Sequence, residues 1–194
     1  MLLYIHDQTL YSNIIIYMFN FFSNNDIFDW DLMTDIKEGR QHLSSKVPVF
    51  VYRLLEYSLK AELSKQFGDE KTTEIFRNAG ELAGKKFVEQ LLDLSLPKSQ
   101  FFEHLQTVLA KHDIGILRLE KFDHSSGNLT VTISEDLDCS GLPILGETVC
   151  NYDEGFLKGI LDTYTNSKYA VEEVDCWATG SRVCRFEAKV LSRE

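Results

Sequence analysis

The sequence predicts an α+β domain in which helices come first along the chain and an antiparallel β-sheet follows. Up to residue 112, apolar residues recur every three or four positions, and after it they alternate with polar residues, so the period changes from helix to strand. The 194 residues, 44% of them hydrophobic, suffice for one stable core, and no Gly/Ser-rich linker or internal repeat divides them. We therefore expect residues 18–194 to form a single domain.

Three helices are predicted in the first part of this domain, over residues 47–68, 69–94 and 98–112. The second helix contains Gly80 and Gly84. Each glycine costs about 1 kcal/mol relative to alanine in a helix interior, so the pair is tolerable mainly where another backbone or a ligand packs closely. Helix-on-helix packing is the simpler interpretation.

Two β-hairpins follow, with a fourth helix between them. The first hairpin is predicted around the turn DHSSGN at 123–128, because apolar and polar residues alternate on both sides of it. The fourth helix is predicted over 151–164, which places Cys150 at its start. The second hairpin is predicted around ATGS at 178–181, and in its last strand Cys184 lies on the inward face.

Charge and hydropathy exclude two classes of partner. Thirty acidic against twenty basic side chains give a net charge of −10, and such a surface repels nucleic-acid phosphates and anionic lipid. The apolar start of the chain is interrupted before it reaches the ~18 to 20 apolar residues of a membrane span, and the first lysine is Lys37. We expect a cytoplasmic protein in which residues 1–17 are either a dispensable extension, with Met18 as a second possible start, or an added edge strand or partner contact.

The four cysteines could form disulfides, bind a metal or simply be buried. A reducing compartment favours the last two. If the strand that carries Glu173 bulges near Asp175, three thiolates and one carboxylate can converge in the tetrahedron of a closed structural zinc site. The residues of that set are Cys150, Glu173, Cys176 and Cys184. Spacing alone does not separate this site from thiols that pack as small apolar side chains.

Two segments carry a resemblance to a known family, CSGLPILGETVCNYDEGFLKGIL (139–161) and EEVDCWATGSRVCRFEAKV (172–190). They resemble the 4-vinyl reductase domain family, a group of small-molecule-binding domains. These domains are also similar to the sensor domains of aromatic-responsive bacterial transcription activators, and their fold resembles that of TRAPP vesicle-tethering subunits. The resemblance is strongest from Gly141 to Val190 and extends more loosely back to about Asp29.

The resemblance implies a zinc ion held by three cysteines and a glutamate. The matching positions are Cys150, Glu173, Cys176 and Cys184. Cys139 is the alternative fourth ligand, which would leave Glu173 outside the ligand set. Arg182 or Arg185 could help to neutralise the negative site, or could belong to a solvated strand face.

The resemblance further implies a homodimer and a hydrophobic or aromatic ligand in a pocket near the metal. Core packing is the competing interpretation for the candidate pocket residues, which are Phe101, Phe102, His104, Tyr152, Phe156 and Trp177. The polar pair that binds phenol in the phenol sensors has no match here beyond His104, so phenol itself is not expected.

A non-catalytic sensor or carrier is therefore the expected function. A protein-assembly module of the same fold is one alternative. A zinc-dependent or reductase-type enzyme is another, and it would require Glu173 to give up its position on the metal to water. The sequence contains no dinucleotide or P-loop signature, and its five histidines lack metal or triad spacing.

Overall fold

The computed structural model describes residues 28–193, so the expectation for residues 1–17 lies outside the described residues. Its contacts divide the chain into two compact units, residues 1–46 and 47–194. The described part of the first unit contains a 3-10 turn, Trp30–Met33, and a single helical turn, Ile36–Gly39. The Asp29 carboxylate caps the 3-10 turn by accepting a hydrogen bond from the Asp31 N–H at 3.2 Å.

The second unit contains the predicted helices and strands. Its helices are α1 (Val49–Phe67), α2 (Asp69–Leu91), α3 (Lys98–Lys111) and α4 (Asn151–Thr165), and its strands are β1 (Ile116–Phe122), β2 (Leu129–Ser134), β3 (Ser167–Asp175) and β4 (Cys184–Arg193). The helix and strand predictions are thereby confirmed to within a few residues at each end. Among residues 28–193, no helix is both long and apolar enough to cross a bilayer.

The four strands form one antiparallel sheet in the order β1-β2-β4-β3, which confirms the predicted α+β class. The pairing of β3 with β4 is irregular between Glu173 and Asp175, as predicted. Because this irregularity interrupts the alternation of faces, Glu173 and Cys176 are both buried although they are three residues apart. The bulge thus brings a carboxylate and a thiol to the same side of the sheet.

The core lies between the inner face of the sheet and the helices. Val131, Ile133 and Phe186 alternate with more exposed neighbours along β2 and β4, and each is at most 3% exposed. From the helical side, Phe101 and Leu105 of α3 are also buried at 0% and 1%. The period-2 and period-3.6 patterns of the sequence therefore meet in one apolar layer.

Helices α2 and α4 cross at very short distance. Four glycines, spaced four residues apart on each helix, form the contact: Gly80 and Gly84 on α2, and Gly155 and Gly159 on α4. A Cβ atom at Gly80 would overlap the backbone of Tyr152, and one at Gly155 would overlap the backbone of Arg77. The prediction that Gly80 and Gly84 serve helix-on-helix packing is confirmed.

Ion pairs flank this glycine contact. Arg77 of α2 donates to the buried carboxylate of Glu154 on α4, with Nε and Oε2 2.5 Å apart. Lys158 of α4 pairs with Glu81 of α2 at 2.5 Å and with Asp162 at 2.9 Å. The contact therefore fixes which turns of the two helices face each other.

Candidate functional site

Four buried thiols converge from four separate segments of the second unit. Their Sγ atoms all lie within 4.8 Å of one another, and no thiol-bearing residue is more than 1% exposed. We name this group the thiol cluster; it consists of Cys139 in the β2–α4 loop, Cys150 directly before α4, Cys176 directly after β3 and Cys184 at the start of β4. All four are free thiols.

The spacing of the sulfurs suits a tetrahedral metal ion. Cys150 Sγ lies 3.8 Å from Cys176 Sγ and 3.7 Å from Cys184 Sγ. Zinc–sulfur bonds of about 2.3 Å place the corners of a tetrahedron about 3.8 Å apart. The Cys139 and Cys184 sulfurs are closer, at 3.0 Å. Four soft donors with this spacing fit a closed structural zinc site.

Side chains near the thiol cluster hold the backbone of three of its cysteines. Asp136 Oδ1 accepts from the Cys139 N–H at 3.1 Å. Glu173 Oε2 accepts from the Cys150 N–H at 3.0 Å, and Thr179 Oγ1 accepts from the Cys176 N–H at 3.2 Å. Each bond fixes a cysteine Cα relative to a neighbouring segment, so the thiols are oriented by the fold itself.

The thiols differ in how readily they ionise. Hydrogen bonds from the other thiols, that from Cys139 first, hold the pKa of Cys176 below the usual thiol range. The hydrogen bond with Cys139 and burial both raise the pKa of Cys150. A first thiolate is therefore stabilised at Cys176, whereas further ionisation places like charges side by side in a buried site. A bound cation would remove that repulsion.

Glu173 lies beside the thiol cluster and is 5% exposed. Its Oε2 atom bonds the Cys150 N–H, while Oε1 has no hydrogen-bond partner among the described residues. Burial first, and then the negative charge of Cys176, raise the pKa of Glu173 to about 8. The structure thus brings Cys150, Cys176 and Cys184 together with the sulfur of Cys139, and it places the Glu173 carboxylate next to this set.

Glu154 connects the glycine contact to the thiol cluster. Its Oε2 atom accepts from Arg77, and its Oε1 atom accepts from the Glu173 N–H at 2.9 Å. Since Glu173 in turn bonds Cys150, one chain of hydrogen bonds runs from α2 to the first thiol of α4. Sequence reasoning missed this role, because a glutamate in a first helical turn usually faces solvent.

A second buried group, which sequence reasoning also missed, adjoins the thiols. We name it the carboxylate cluster; its members are Asp136, Asp138 and Asp153, and none is more than 6% exposed. Burial, followed by the charge of Asp136, raises the pKa of Asp138 to about 7. Burial also raises the pKa of Asp153 well above its usual range. The acidic run DLDC at 136–139 is the only signal in the sequence, and a short acidic run normally indicates a solvated turn.

Helix α1 turns its polar side towards the loop that carries Cys139. Arg53 donates to the Leu137 carbonyl at 2.8 Å and to the Ser140 carbonyl at 2.9 Å. Tyr52 donates to Asp138 Oδ1 at 2.8 Å. These bonds pin the loop from outside, so the position of the Cys139 thiol depends on α1.

The two arginines considered as counter-charges lie elsewhere. Arg185 pairs with Asp175 and with Glu120, on the side of β4 opposite Cys184. The Arg182 guanidinium lies 5.3 Å from the centre of the Trp177 ring. Their described partners are therefore a sheet face and an aromatic ring, and no described ion pair joins either arginine to Glu173.

An apolar cavity of about 10 Å³ lies between the helices and the inner face of the sheet. Its lining consists entirely of apolar side chains: Phe102, Leu105, Leu117, Leu129, Val131, Leu157, Ile160, Leu161, Val171, Phe186 and Ala188. This volume is room for about one water molecule. An apolar cavity of this size stays empty unless its walls move.

Of the six candidate pocket residues, Phe102 lines this cavity. Phe101 stacks on Tyr164 with ring centres 3.6 Å apart. Trp177 donates its indole N–H to the Leu142 carbonyl at 3.0 Å. Both side chains are therefore engaged in packing or hydrogen bonding in the fold.

The other three candidates lie on α3 and α4. Tyr152 and Phe156 stack on each other along α4, with ring centres 6.3 Å apart, and Phe156 also contacts Phe87 of α2 edge-on at 5.1 Å. His104 on α3 has a buried Nδ1 atom without a hydrogen-bond partner in the described part of the chain.

The fold and the site together define an α+β domain built around a buried set of four thiols. Residues 129–190, a range that includes all four cysteines, match the family model of the 4-vinyl reductase domain. The resemblance to this family is thereby confirmed. Proteins of the archaeon Methanocaldococcus jannaschii match at 24% to 36% identity over 81 to 116 residues, or 41% to 60% of this chain. The chain spans 33% to 64% of the length of these relatives.

Solved structures share the fold at low sequence identity. The phenol-responsive sensory domain of the transcription activator PoxR, solved with phenol, has a TM-score of 0.57 at 15% identity, covering 69% of this chain and 72% of its own. A vinyl-4-reductase family protein from M. jannaschii has a TM-score of 0.55 at 18% identity, covering 83% and 96%. A trafficking protein particle complex subunit 3 from Naegleria fowleri, covalently bound to palmitic acid, has a TM-score of 0.55 at 13% identity, covering 75% and 98%.

Proposed function

We propose that this chain is a small-molecule-binding domain of the sensor or carrier type, stabilised by a structural zinc ion on the thiol cluster. The observation that carries the proposal is the convergence of four buried sulfurs within 4.8 Å. The match of residues 129–190 to the 4-vinyl reductase domain supports the assignment to a family of binding domains.

The ligand set of this proposed zinc ion is Cys139, Cys150, Cys176 and Cys184. Four thiolates fill a tetrahedral coordination sphere and leave no position for water, which is the arrangement of structural rather than catalytic zinc. Glu173 then orients Cys150 through its backbone N–H rather than binding the metal. A non-catalytic role follows from this closed site.

The proposed ligand is a small apolar molecule bound between the helices and the sheet. The cavity there is lined only by apolar side chains, so it offers no hydrogen bond to a polar ligand. At about 10 Å³ it must expand to accept an aromatic ring. The PoxR domain, which shares the fold and was solved with phenol, supports the ligand class.

Native mass spectrometry of the freshly purified chain tests both parts of this proposal. We expect one tightly held zinc ion in the wild type and its loss in Cys176→Ser. Absence of metal from a folded wild-type protein would overturn the zinc assignment.

Binding of an apolar fluorescent probe tests the ligand site separately. Ala188→Val narrows the cavity from the sheet side and is expected to weaken probe binding, because Ala188 lines it and is 1% exposed. Ala170→Val makes the same change at an exposed position of β3 and serves as the matched control. Equal binding by both variants would exclude this cavity as the ligand site.

The exposed apolar face of α1 favours self-association, and we propose a homodimer through it. Phe50, Leu54 and Leu55 are 68%, 67% and 68% exposed, while the polar side of the same helix faces the Cys139 loop. A surface helix normally presents these faces the other way round. Such a face also suits the alternative function, a protein-assembly module.

Light scattering distinguishes a dimer from the 22.3 kDa chain. Leu54→Glu is expected to shift the protein towards the monomer, whereas Lys65→Glu, an exposed change on the same helix, leaves the dimer intact. A monomeric wild-type protein would overturn the dimer.

A further inference from the structure

Three buried ligand atoms come together next to the thiol cluster. One carboxylate oxygen of Asp136, one of Asp153 and the Sγ of Cys150 lie within 4.8 Å of one another. The three residues are 3%, 6% and 0% exposed. They come from the β2–α4 loop, the first turn of α4 and the residue before that helix. The fold therefore gathers a third set of negative groups beyond the four thiols and Glu173.

One of these carboxylates is short of hydrogen-bond donors. Asp153 Oδ2 is buried and has no hydrogen-bond partner among residues 28–193. By contrast, Asp136 Oδ1 accepts from the N–H groups of Asp138 at 2.9 Å and Cys139 at 3.1 Å, which fixes the orientation of its carboxyl group. A buried carboxylate oxygen without a donor is unfavourable unless a cation or a donor that joins it completes the site.

The nearby basic side chains do not supply the missing charge. No described lysine or arginine forms an ion pair with Asp136 or Asp153. Arg53 donates to the carbonyls of the loop, and Lys60 donates to the Val149 carbonyl at 3.2 Å and to an amide oxygen of α4. Four thiolates around one dication would in addition keep a formal charge of −2 beside these carboxylates.

We propose that Asp136 and Asp153, together with the Cys150 thiolate, form a second divalent-cation site that shares Cys150 with the thiol cluster. One sulfur and two carboxylate oxygens suit a borderline cation such as Zn²⁺ or Co²⁺ rather than Mg²⁺ or Ca²⁺. Three protein ligands leave a fourth position for water, so this ion is the exchangeable one of the pair. The inference rests on the proposed function only in sharing Cys150.

Metal stoichiometry of the full chain tests the site. After equilibration with Zn²⁺ and removal of free metal, native mass spectrometry is expected to show two ions per wild-type chain and one per chain of Asp153→Asn. Asp138→Asn is the matched control, because it removes a buried carboxylate of the same loop that is not one of the three ligands. It is expected to keep both ions.

The possible outcomes separate the two sites. One ion in the wild type that survives Asp153→Asn but not Cys176→Ser would overturn the second site and leave the proposed function standing. One ion that survives Cys176→Ser but not Asp153→Asn would overturn the four-thiol site instead. Equal loss of an ion in Asp138→Asn and Asp153→Asn would show a general effect of charge and overturn the ligand assignment.

X-ray absorption of the wild type keeps the proposal testable if a variant fails to fold. With one equivalent of Zn²⁺ the spectrum is expected to show sulfur neighbours at about 2.3 Å only. A second equivalent should add oxygen neighbours at about 2.0 to 2.2 Å. A second equivalent that leaves the spectrum of the washed protein unchanged would overturn the site.

Discussion

Two regions of the second unit meet at α4 and differ in how they treat buried charge. Along its side, where α4 crosses α2, Glu154 is bonded to Arg77 and Asp162 to Lys158. At its start, next to the thiol cluster, oxygens of Glu173 and Asp153 are buried and have no partner in the described structure. The first region is complete with protein atoms alone, whereas the second is built from acceptors and requires cations. Stability should therefore depend on the metal at one end of α4 and on backbone fit along its side.

The largest effect should come from removing the metal. Cys176→Ser, or a strong chelator, is expected to lower the free energy of unfolding by several kcal/mol, because structural zinc contributes on the order of 10 kcal/mol in small zinc domains. Urea unfolding with and without chelator measures the change. The chelator should have little further effect on Cys176→Ser, and a wild type that is indifferent to it would contradict the difference between the regions.

Backbone fit between α2 and α4 should come second. Gly155→Ala is expected to destabilise by about 3 kcal/mol, because the new Cβ would overlap the Arg77 backbone and force the helices apart. Gly39→Ala, at a helical glycine with no neighbouring atom within 4 Å, is the control and should be neutral or slightly stabilising. Thermal unfolding of the two variants compares them directly. Equal effects would show that close packing is not what the glycines provide.

The buried ion pair should have an intermediate effect. Glu154→Gln keeps the shape of the side chain but weakens its bonds to Arg77 and to the Glu173 N–H, at an expected cost of about 2 kcal/mol. Glu172→Gln makes the same change at an exposed neighbour of Glu173 and should be nearly neutral. The metal content of both variants should equal that of the wild type. Loss of metal from Glu154→Gln would mean that the two regions are not separate.

The smallest effect should be at an exposed pair on α2. Lys71 and Glu74 are 2.7 Å apart, and both side chains are more than half exposed. Lys71→Ala is expected to change the free energy of unfolding by less than about 0.5 kcal/mol, since solvent screens such pairs. Urea midpoints measured in low and high salt provide the test. A loss above about 1 kcal/mol would show that ion pairs on α2 matter irrespective of burial.

Periodicity made most of the fold predictable from the sequence. The change of period after residue 112 separates α3 from β1, and the spacing of Gly80 and Gly84 indicated a close neighbour. The bulge near Asp175 could be inferred because Glu173 and Cys176 cannot otherwise share a side of the sheet. Each of these signals is local, so a single sequence contains it.

Other features depend on contacts that no local pattern encodes. Asp136 and Asp138 look like solvated loop residues until α1 covers them, and α1 itself has its apolar residues outside and its polar ones inside. The choice between Glu173 and Cys139 as neighbour of the other thiols was also open, because it depends on where a long loop returns to the sheet. Trp177 and Phe101, candidate pocket residues, instead bond a carbonyl and stack on a tyrosine.

The strand order β1-β2-β4-β3 has a consequence for synthesis on the ribosome. β4 is the last described strand to be translated, yet it pairs with both β2 and β3, which have no direct pairing with each other. The nascent chain must therefore keep its sheet split, with three of the four sulfurs already outside the exit tunnel, until Cys184 emerges. Metal capture and closure of the sheet then become one late event, and a cell short of zinc would accumulate chains arrested just before it.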